Sequence, residues 1–325
     1  MPQTCTLAIL SDIHYACAAE QARGNDYEFV GVTNPVLLNA LKVYRRVIWL
    51  RRPLFLNHLL DQFLADVGST DQVIALGDYS CNTGFVGVSD DAACQSAREC
   101  LVKLHERFGD RLHATLGDHD LGKVNLPGNR GGMRLASWHR AQADLGLKPF
   151  WRVELGRYTL LGVTSSLVAL PVFQADTLPE EYPEWERLRA EHLGEIRQTF
   201  DELRPDRRVL LFCHDPTALP FLWRESAVRE KLSQIEQTLI GHLHTGLIFW
   251  QSRLLAGIPP IHFLGHSLKR YSTALNEARH WRQFNVRLCP SLSGIELLKD
   301  GGFYTASLDL TAERPAQFQF HPLPR

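Results

Sequence analysis

Residues 5–14 read Cys-Thr-Leu-Ala-Ile-Leu-Ser-Asp-Ile-His, an apolar run that stops abruptly at Ser11-Asp12. Cys5–Leu10 has the length and composition of a buried strand. Asp12-x-His14 then places two metal-capable side chains just beyond its end. Four later stretches repeat the arrangement. Gln72–Leu76 ends at Gly77-Asp78, and Leu112–Leu116 ends at Gly117-Asp118-His119-Asp120. Val209–Cys213 ends at His214, and Thr238–Ile240 at Gly241-His242-Leu243-His244. In open α/β sheets the loops at the carboxyl ends of strands converge, and ligands collect there.

Helical patterns separate these runs. Asp90–Arg107 carries Ala93, Ala97, Leu101 and Leu104 at helical spacing, and Glu184–Leu203 reads as a second long helix. Strand–helix alternation predicts a layered α/β fold. The last third changes character: Leu247–Trp250, Ile261–Gly265, Phe284–Leu288, Gly294–Leu298 and Phe303–Leu308 read as strands. No repeat or low-complexity linker divides the chain, so residues 1–325 are expected to form one elaborated domain, with 247–325 its mostly β part.

The chain has 325 residues, 35 Lys+Arg against 36 Asp+Glu, 45% hydrophobic and 22% charged residues. That balance suits a globular protein and counts against general nucleic-acid binding, which calls for a basic surface. Seven cysteines without a CxxC pair predict a reducing compartment rather than a disulfide framework. The N-terminus lacks the basic-then-apolar pattern of an export signal, and no uninterrupted apolar run reaches the ~18 residues of a membrane span. The expected location is the cytoplasm.

The paired spacings in Asp12-x-His14 and His242-x-His244 put both side chains on one side of extended chain. Carboxylates and imidazoles without thiolate suit Mn, Fe or Zn rather than a structural zinc knot. The seven candidates Asp12, His14, Asp78, Asp118, His214, His242 and His244 are too many for one tetrahedral ion. With one carboxylate shared, they fit two divalent ions at the ~3.5–4 Å spacing of hydrolytic two-metal sites.

The ordered motifs from Asp12 to His244 resemble the D-x-H, GD, GNH[DE], H and GH-x-H pattern of the calcineurin-like metallophosphoesterase superfamily, with GDHD standing at the third. The resemblance implies a layered α/β sandwich with mixed sheets and a dinuclear phosphoesterase acting on a phosphodiester or pyrophosphate. It implies that Asp12, His14 and His244 hold one metal, that Asp118, His214 and His242 hold the other, and that Asp78 bridges. Attack would come from a metal-activated hydroxide. His119 would be the general acid for the leaving oxygen, with Asp120 orienting and charging its imidazole. Where the family usually has Asn, this chain has Asp118, which can ligate equally well but lacks the amide donor for substrate phosphate. Gly128-Asn129-Arg130 mimics part of the third motif but follows no strand and reads as a loop. His58, His105, His139 and His192 are expected to be ordinary helix residues, and Asp110 and Asp215 turn or cap residues. Asp215 could also support His214, and a role for His262 and His266 on the substrate side is secondary to packing.

Between the first two motifs lies a helical insert, residues 34–66. Asn34-Pro35 reads as an N-cap and first helical position, and Pro53 as the break that begins a second helix through Ala65. No acidic residue occurs between Phe29 and Leu60, while Lys42, Arg45, Arg46, Arg51 and Arg52 contribute five positive charges. Leu37, Leu41, Val43, Tyr44, Val47, Ile48 and Leu50 share one arc, expected to pack on the core beneath a solvated basic face. The alternative is a lid, or an interfacial helix touching anionic head groups at the inner face of a membrane. The insert most resembles bacterial cyclic-nucleotide-phosphodiesterase-like members, and more weakly the lipid hydrolases that cleave UDP-diacylglucosamine. The expected substrate is thus a phosphorylated small molecule or lipid. The rival of a different class is a non-catalytic metal-binding scaffold, against which stands the retention of His119 and all seven ligand positions.

Overall fold

The computed structural model describes residues 3–81, 85–123, 130–260 and 266–324, with backbone alone for 266–271. The apolar runs form two five-stranded sheets packed face to face. β1 (Thr4–Leu10), β2 (Gln72–Ala75) and β3 (Leu112–Ala114) run parallel in the first. The second contains β4 (Phe150–Leu155), β5 (Tyr158–Val163), β6 (Arg208–Cys213), β7 (Ile235–Ile240) and β8 (Val286–Leu288). Strands β5 to β8 are parallel there, and β4 is antiparallel at the edge. The chain then returns to the first sheet, where β9 (Gly302–Asp309) pairs antiparallel with β1 and β10 (Gln317–Pro322) with β9.

Alternation along each strand builds three apolar layers. Leu7 and Ile9 of β1 face Leu210 and Phe212 of β6 between the sheets. Ala8 and Leu10 point outward, into a layer shared with Leu59 and Phe63 and with Cys100 and Leu104 of the Asp91–Phe108 helix. On the far side, Val209 and Leu211 pack against Ile196 and Phe200 of the Tyr182–Asp201 helix. With both faces covered, the central strands are apolar throughout rather than alternating. The carboxyl ends of β1, β2 and β3 meet those of β6 and β7: His214 Nδ1 stands 2.6 Å from the Leu76 carbonyl, and Gly241 N donates to the His214 carbonyl.

The last third departs from expectation. Leu247–Trp250 lies inside a helix, Gly246–Leu254, started by the Thr245 hydroxyl accepting from Leu247 N. Short apolar runs do not distinguish a strand from one face of a helix, and the cap decides here. Gly294–Leu298 forms turns, and of Phe284–Leu288 only Val286–Leu288 pairs in a sheet. The helix His266–Glu277 and strands β4, β5 and β10 were not anticipated. Ile261–Gly265 falls outside the described residues.

The insert begins as expected: Asn34 Oδ1 accepts from Val36 N at 2.9 Å and Leu37 N at 3.2 Å, opening the helix Pro35–Val47. After Pro53 comes one 3-10 turn, Pro53–Phe55, and then a helix confined to His58–Asp66. The burial of the first helix departs from expectation in part: Leu50 is buried and Leu41 and Ile48 are half-buried, but the rest of the apolar arc faces out. Val36, Leu37, Val43, Tyr44 and Val47 are exposed, whereas Arg45 is 5% exposed. The Arg45 guanidinium contacts Asp26 at 2.7 Å and Glu28 at 2.6 Å and lies over the Phe29 ring. Carboxylates just ahead of the helix thus draw Arg45 inward. No helix among the described residues is long and apolar enough to cross a membrane.

Candidate metal centre

All seven candidate ligands sit in the loops at the joined carboxyl edges of the two sheets. Their side chains form overlapping sets whose ligating atoms lie within 4.8 Å of one another: Asp12, His14 and His244; Asp118, His214 and His242; and Asp12, Asp78 and His214. His119 shares a fourth set with His14 and Asp78, so proximity alone does not separate it from the ligands.

The backbone is bent to make this possible. Asp12, His14, Asp78, His242 and His244 all have positive φ, five of the eight such non-glycine residues among those described. An L-residue held there costs of order 1–3 kcal/mol, and such strain concentrates where a site requires a side chain at one place. The loops also touch backbone to backbone. A Cβ on Gly77 would overlap the Gly117 backbone, and one on Gly117 would overlap Asp78. Both turns therefore require glycine.

Hydrogen bonds aim the imidazoles. His14 Nδ1 stands 3.1 Å from the Ser80 carbonyl and His214 Nδ1 faces that of Leu76, so each ring turns Nε2 toward the centre. His14 Nε2 and His244 Nε2 are then 3.4 Å apart. His214 Nε2 lies 3.2 Å from Asp78 Oδ2 and 3.1 Å from Asp118 Oδ1, and His242 Nδ1 lies 2.9 Å from Asp118 Oδ1. Asp12 Oδ1 and Asp78 Oδ2 are buried and accept no well-directed hydrogen bond, although imidazole nitrogens stand 3.3 and 3.2 Å away. Buried carboxylate oxygens left without a directed donor suit a cation at the point where they converge. The donor set therefore fits two divalent ions.

Protonation follows the same charges. Burial would depress the His214 imidazole, yet the Asp78 and Asp12 carboxylates hold it well above its ordinary value. His242 is raised against burial by Asp118 and Asp215. Burial carries His244 down to about 3, leaving a neutral ligand. His119 is lowered by burial to about 4 despite the pull of Asp78, whose carboxylate lies 3.9 Å away.

Asp120 has a different place from the one expected. Its Oδ2 accepts from Gly117 N at 2.8 Å and Asp78 N at 3.1 Å, and its Oδ1 from Tyr79 N at 3.1 Å. The carboxylate is occupied by three backbone amides, and no contact joins it to the His119 ring. Burial and then the Asp78 charge push it up to about 7. Through these amides Asp120 clamps the second motif's loop to the third. The reason is local: Asp120 is the third residue of the short helix Asp118–Leu121, and its side chain reaches back to the amide of Gly117 before it.

Two neighbours were missed. Lys123 Nζ lies 3.0 Å from Asp118 Oδ2, setting a cation beside that carboxylate. Its only sequence signal was a basic residue five positions after Asp118. Trp49, just past the insert helix, has its ring centroid 4.9 Å from that of His244. Asp215 is a cap, accepting from Thr217 N at 2.8 Å, and also lies 3.9 Å from His242 Nε2. His192 is buried and accepts from Thr164 N, a packing role. Gly128-Asn129, His262 and the side chain of His266 lie outside the described residues.

No family model matches the chain, and no curated protein sequence matches it. Solved structures do. A phosphopantetheinyl hydrolase from Mycobacterium tuberculosis is 15% identical, over 75% of this chain and 84% of that one, with a TM-score of 0.37. An anchor protein of the inner membrane complex of Plasmodium is 11% identical over 98% and 84%, with a TM-score of 0.43. A metallophosphoesterase from Sphaerobacter thermophilus is 13% identical over 97% and 87%, with a TM-score of 0.31.

Proposed function

We propose that this protein is a dinuclear metal-dependent phosphoesterase that hydrolyses a phosphodiester or pyrophosphate bond. The observation that carries the reading is the convergence of two His/Asp ligand sets around Asp78, in loops whose backbone is strained to present them. Asp12, His14 and His244 would hold one ion, Asp118, His214 and His242 the other, with Asp78 between them. When bound, two such ions supply an acidified water and offset the charge of the phosphoryl oxygens.

The chain's own groups then divide the remaining tasks. His119, neutral in the free protein, gains a proton when phosphoryl oxygens bring negative charge beside it, and passes that proton to the leaving oxygen. The Lys123 ammonium supplies the phosphate contact that an Asn at position 118 would have made, and it balances the extra carboxylate. Asp120 holds the Asp78 and Gly117 backbones in register.

The deciding experiment is hydrolysis of a substrate panel by metal-reconstituted protein: bis-p-nitrophenyl phosphate, cyclic nucleotides, a phosphomonoester and UDP-diacylglucosamine. Turnover of a diester or pyrophosphate that chelation abolishes supports the reading. Two bound metals without turnover of any member would leave a metal-binding scaffold instead. His119→Ala is expected to lower kcat about 10²–10⁴-fold with metal content intact. Unchanged turnover in that variant removes the general-acid assignment.

A further inference from the structure

The helix Pro35–Val47 is amphipathic in the wrong sense for a helix packed on a core. At 100° per residue, Val36, Leu37, Ala40, Val43, Tyr44 and Val47 fall within an arc of about 120°. Every one of them is exposed, Val36 to 77%, Val43 to 61% and Val47 to 57%. Arg45 lies on the other side, about 140° from the middle of that arc, buried against Asp26 and Glu28. A continuous outward apolar stripe marks a surface that something else covers.

The stripe continues toward the metal centre. Past its end, the Trp49 carbonyl accepts from Glu296 N at 2.6 Å and the Ile48 carbonyl from Leu297 N at 3.3 Å. This sets exposed Leu297 and Leu298 beside it. The Trp49 ring touches His244, and two residues after His244 begins the Gly246–Leu254 helix, with Trp250 and Leu254 exposed. Apolar surface thus lies along both helices that leave the rim of the centre.

The charges identify the occupant. Lys42 and Arg45 are matched by Asp26 and Glu28, but Arg46, Arg51 and Arg52 are exposed, and their guanidinium groups pair with no carboxylate among the described residues. An anionic surface answers both features, taking apolar side chains into its boundary layer and guanidinium groups at its head groups.

We infer that the Pro35–Val47 helix docks the protein on an anionic lipid surface, apolar stripe inward, with the metal centre opening beside that surface. The inference does not depend on phosphoesterase activity, since docking uses none of the metal-centre residues.

The test is co-sedimentation of the full chain with vesicles of phosphatidylcholine alone and of phosphatidylcholine with phosphatidylglycerol, at low and high salt. Binding is expected to the anionic vesicles, weakened by salt. Val43→Asp with Val47→Asp is expected to lower partitioning at least about tenfold, since each places a charge where a side chain must enter the boundary layer. Arg46→Gln with Arg51→Gln and Arg52→Gln should lower it roughly a hundredfold, at about fivefold per basic residue. Both variants should keep the native circular dichroism spectrum and turn over soluble bis-p-nitrophenyl phosphate as the parent does. Failure of the parent to bind anionic vesicles, or equal binding by either variant, overturns the inference. So does a parent dimer in sedimentation velocity that Val43→Asp with Val47→Asp converts to monomer, because a second copy would then cover the stripe. Binding that survives chelation while hydrolysis is absent from the whole panel would overturn the phosphoesterase reading alone.

Discussion

Asp120→Asn separates two roles for one carboxylate. In the structure, Asp120 accepts from three buried amides, those of Gly117, Asp78 and Tyr79, at 2.8, 3.1 and 3.1 Å. Asparagine offers one acceptor oxygen and one NH₂ group. Pointing its oxygen at Gly117 and Asp78 leaves Tyr79 N facing a donor, and the flip orphans two amides instead. The better orientation loses one charge-assisted hydrogen bond, at about 1–3 kcal/mol for the stranded buried donor, and weakens the other two by replacing an ionised acceptor with a neutral one. Removing a buried charge beside Asp78, the repulsion that helps raise Asp120 to about 7, returns part of that cost. The net expectation is a loss of about 2 kcal/mol in unfolding free energy, read by urea titration of the metal-free protein. A second readout follows from the loosened Asp78 loop: metal affinity should fall about 10–100-fold, as when a group supporting a metal ligand is removed. Stability and metal affinity both within error of the parent, with a fall in kcat and a displaced pH profile, would refute the clamp. That result would return Asp120 to orienting His119.

Three further outcomes follow from the charges at the centre. Lys123→Ala removes the cation 3.0 Å from Asp118 and should weaken inhibition by inorganic phosphate about tenfold, the size of one charge-assisted contact. An unchanged inhibition constant would remove Lys123 from the phosphate site. Asp118→Asn should retain both metals by equilibrium dialysis and lower the KM for a phosphodiester, because it restores an amide donor; loss of metal would show that the carboxylate is indispensable. His214 and His242 are held protonated above the ordinary imidazole range by neighbouring carboxylates, so an arriving metal must displace protons. Apparent affinity should therefore rise with pH, by up to about tenfold per pH unit for each proton displaced, until the imidazoles lose their protons unaided. Calorimetric titration in buffers of different ionisation enthalpy measures the proton release directly, and buffer-independent heats would contradict it.

Much of the molecule is legible before folding is considered. Strand ends declare themselves because an apolar run stops abruptly at an Asp or His, after a glycine in β2, β3 and β7 and without one in β1 and β6. The long helix Asp91–Phe108 is equally plain, with Asp90 accepting from Ala92 N and Ala93 N at its start. Leu247–Trp250 misled because four apolar residues carry no period, and only the Thr245 cap tells helix from strand.

Chain order alone therefore settled which residues could gather at the sheet edge, since each follows a strand and each is an oxygen or nitrogen donor. It could not settle what those donors face. The pairing of Asp78 with both ligand sets and the clamp from Asp120 join segments tens of residues apart, brought together only when the loops close on Gly77 and Gly117. The insert shows the same division most sharply. Composition and a helical wheel identify an apolar arc and a basic one, but they are silent on which arc is inward. Asp26 and Glu28, brought against Arg45 by the tertiary fold, draw that one arginine in and leave Val36, Leu37, Val43, Tyr44 and Val47 facing out.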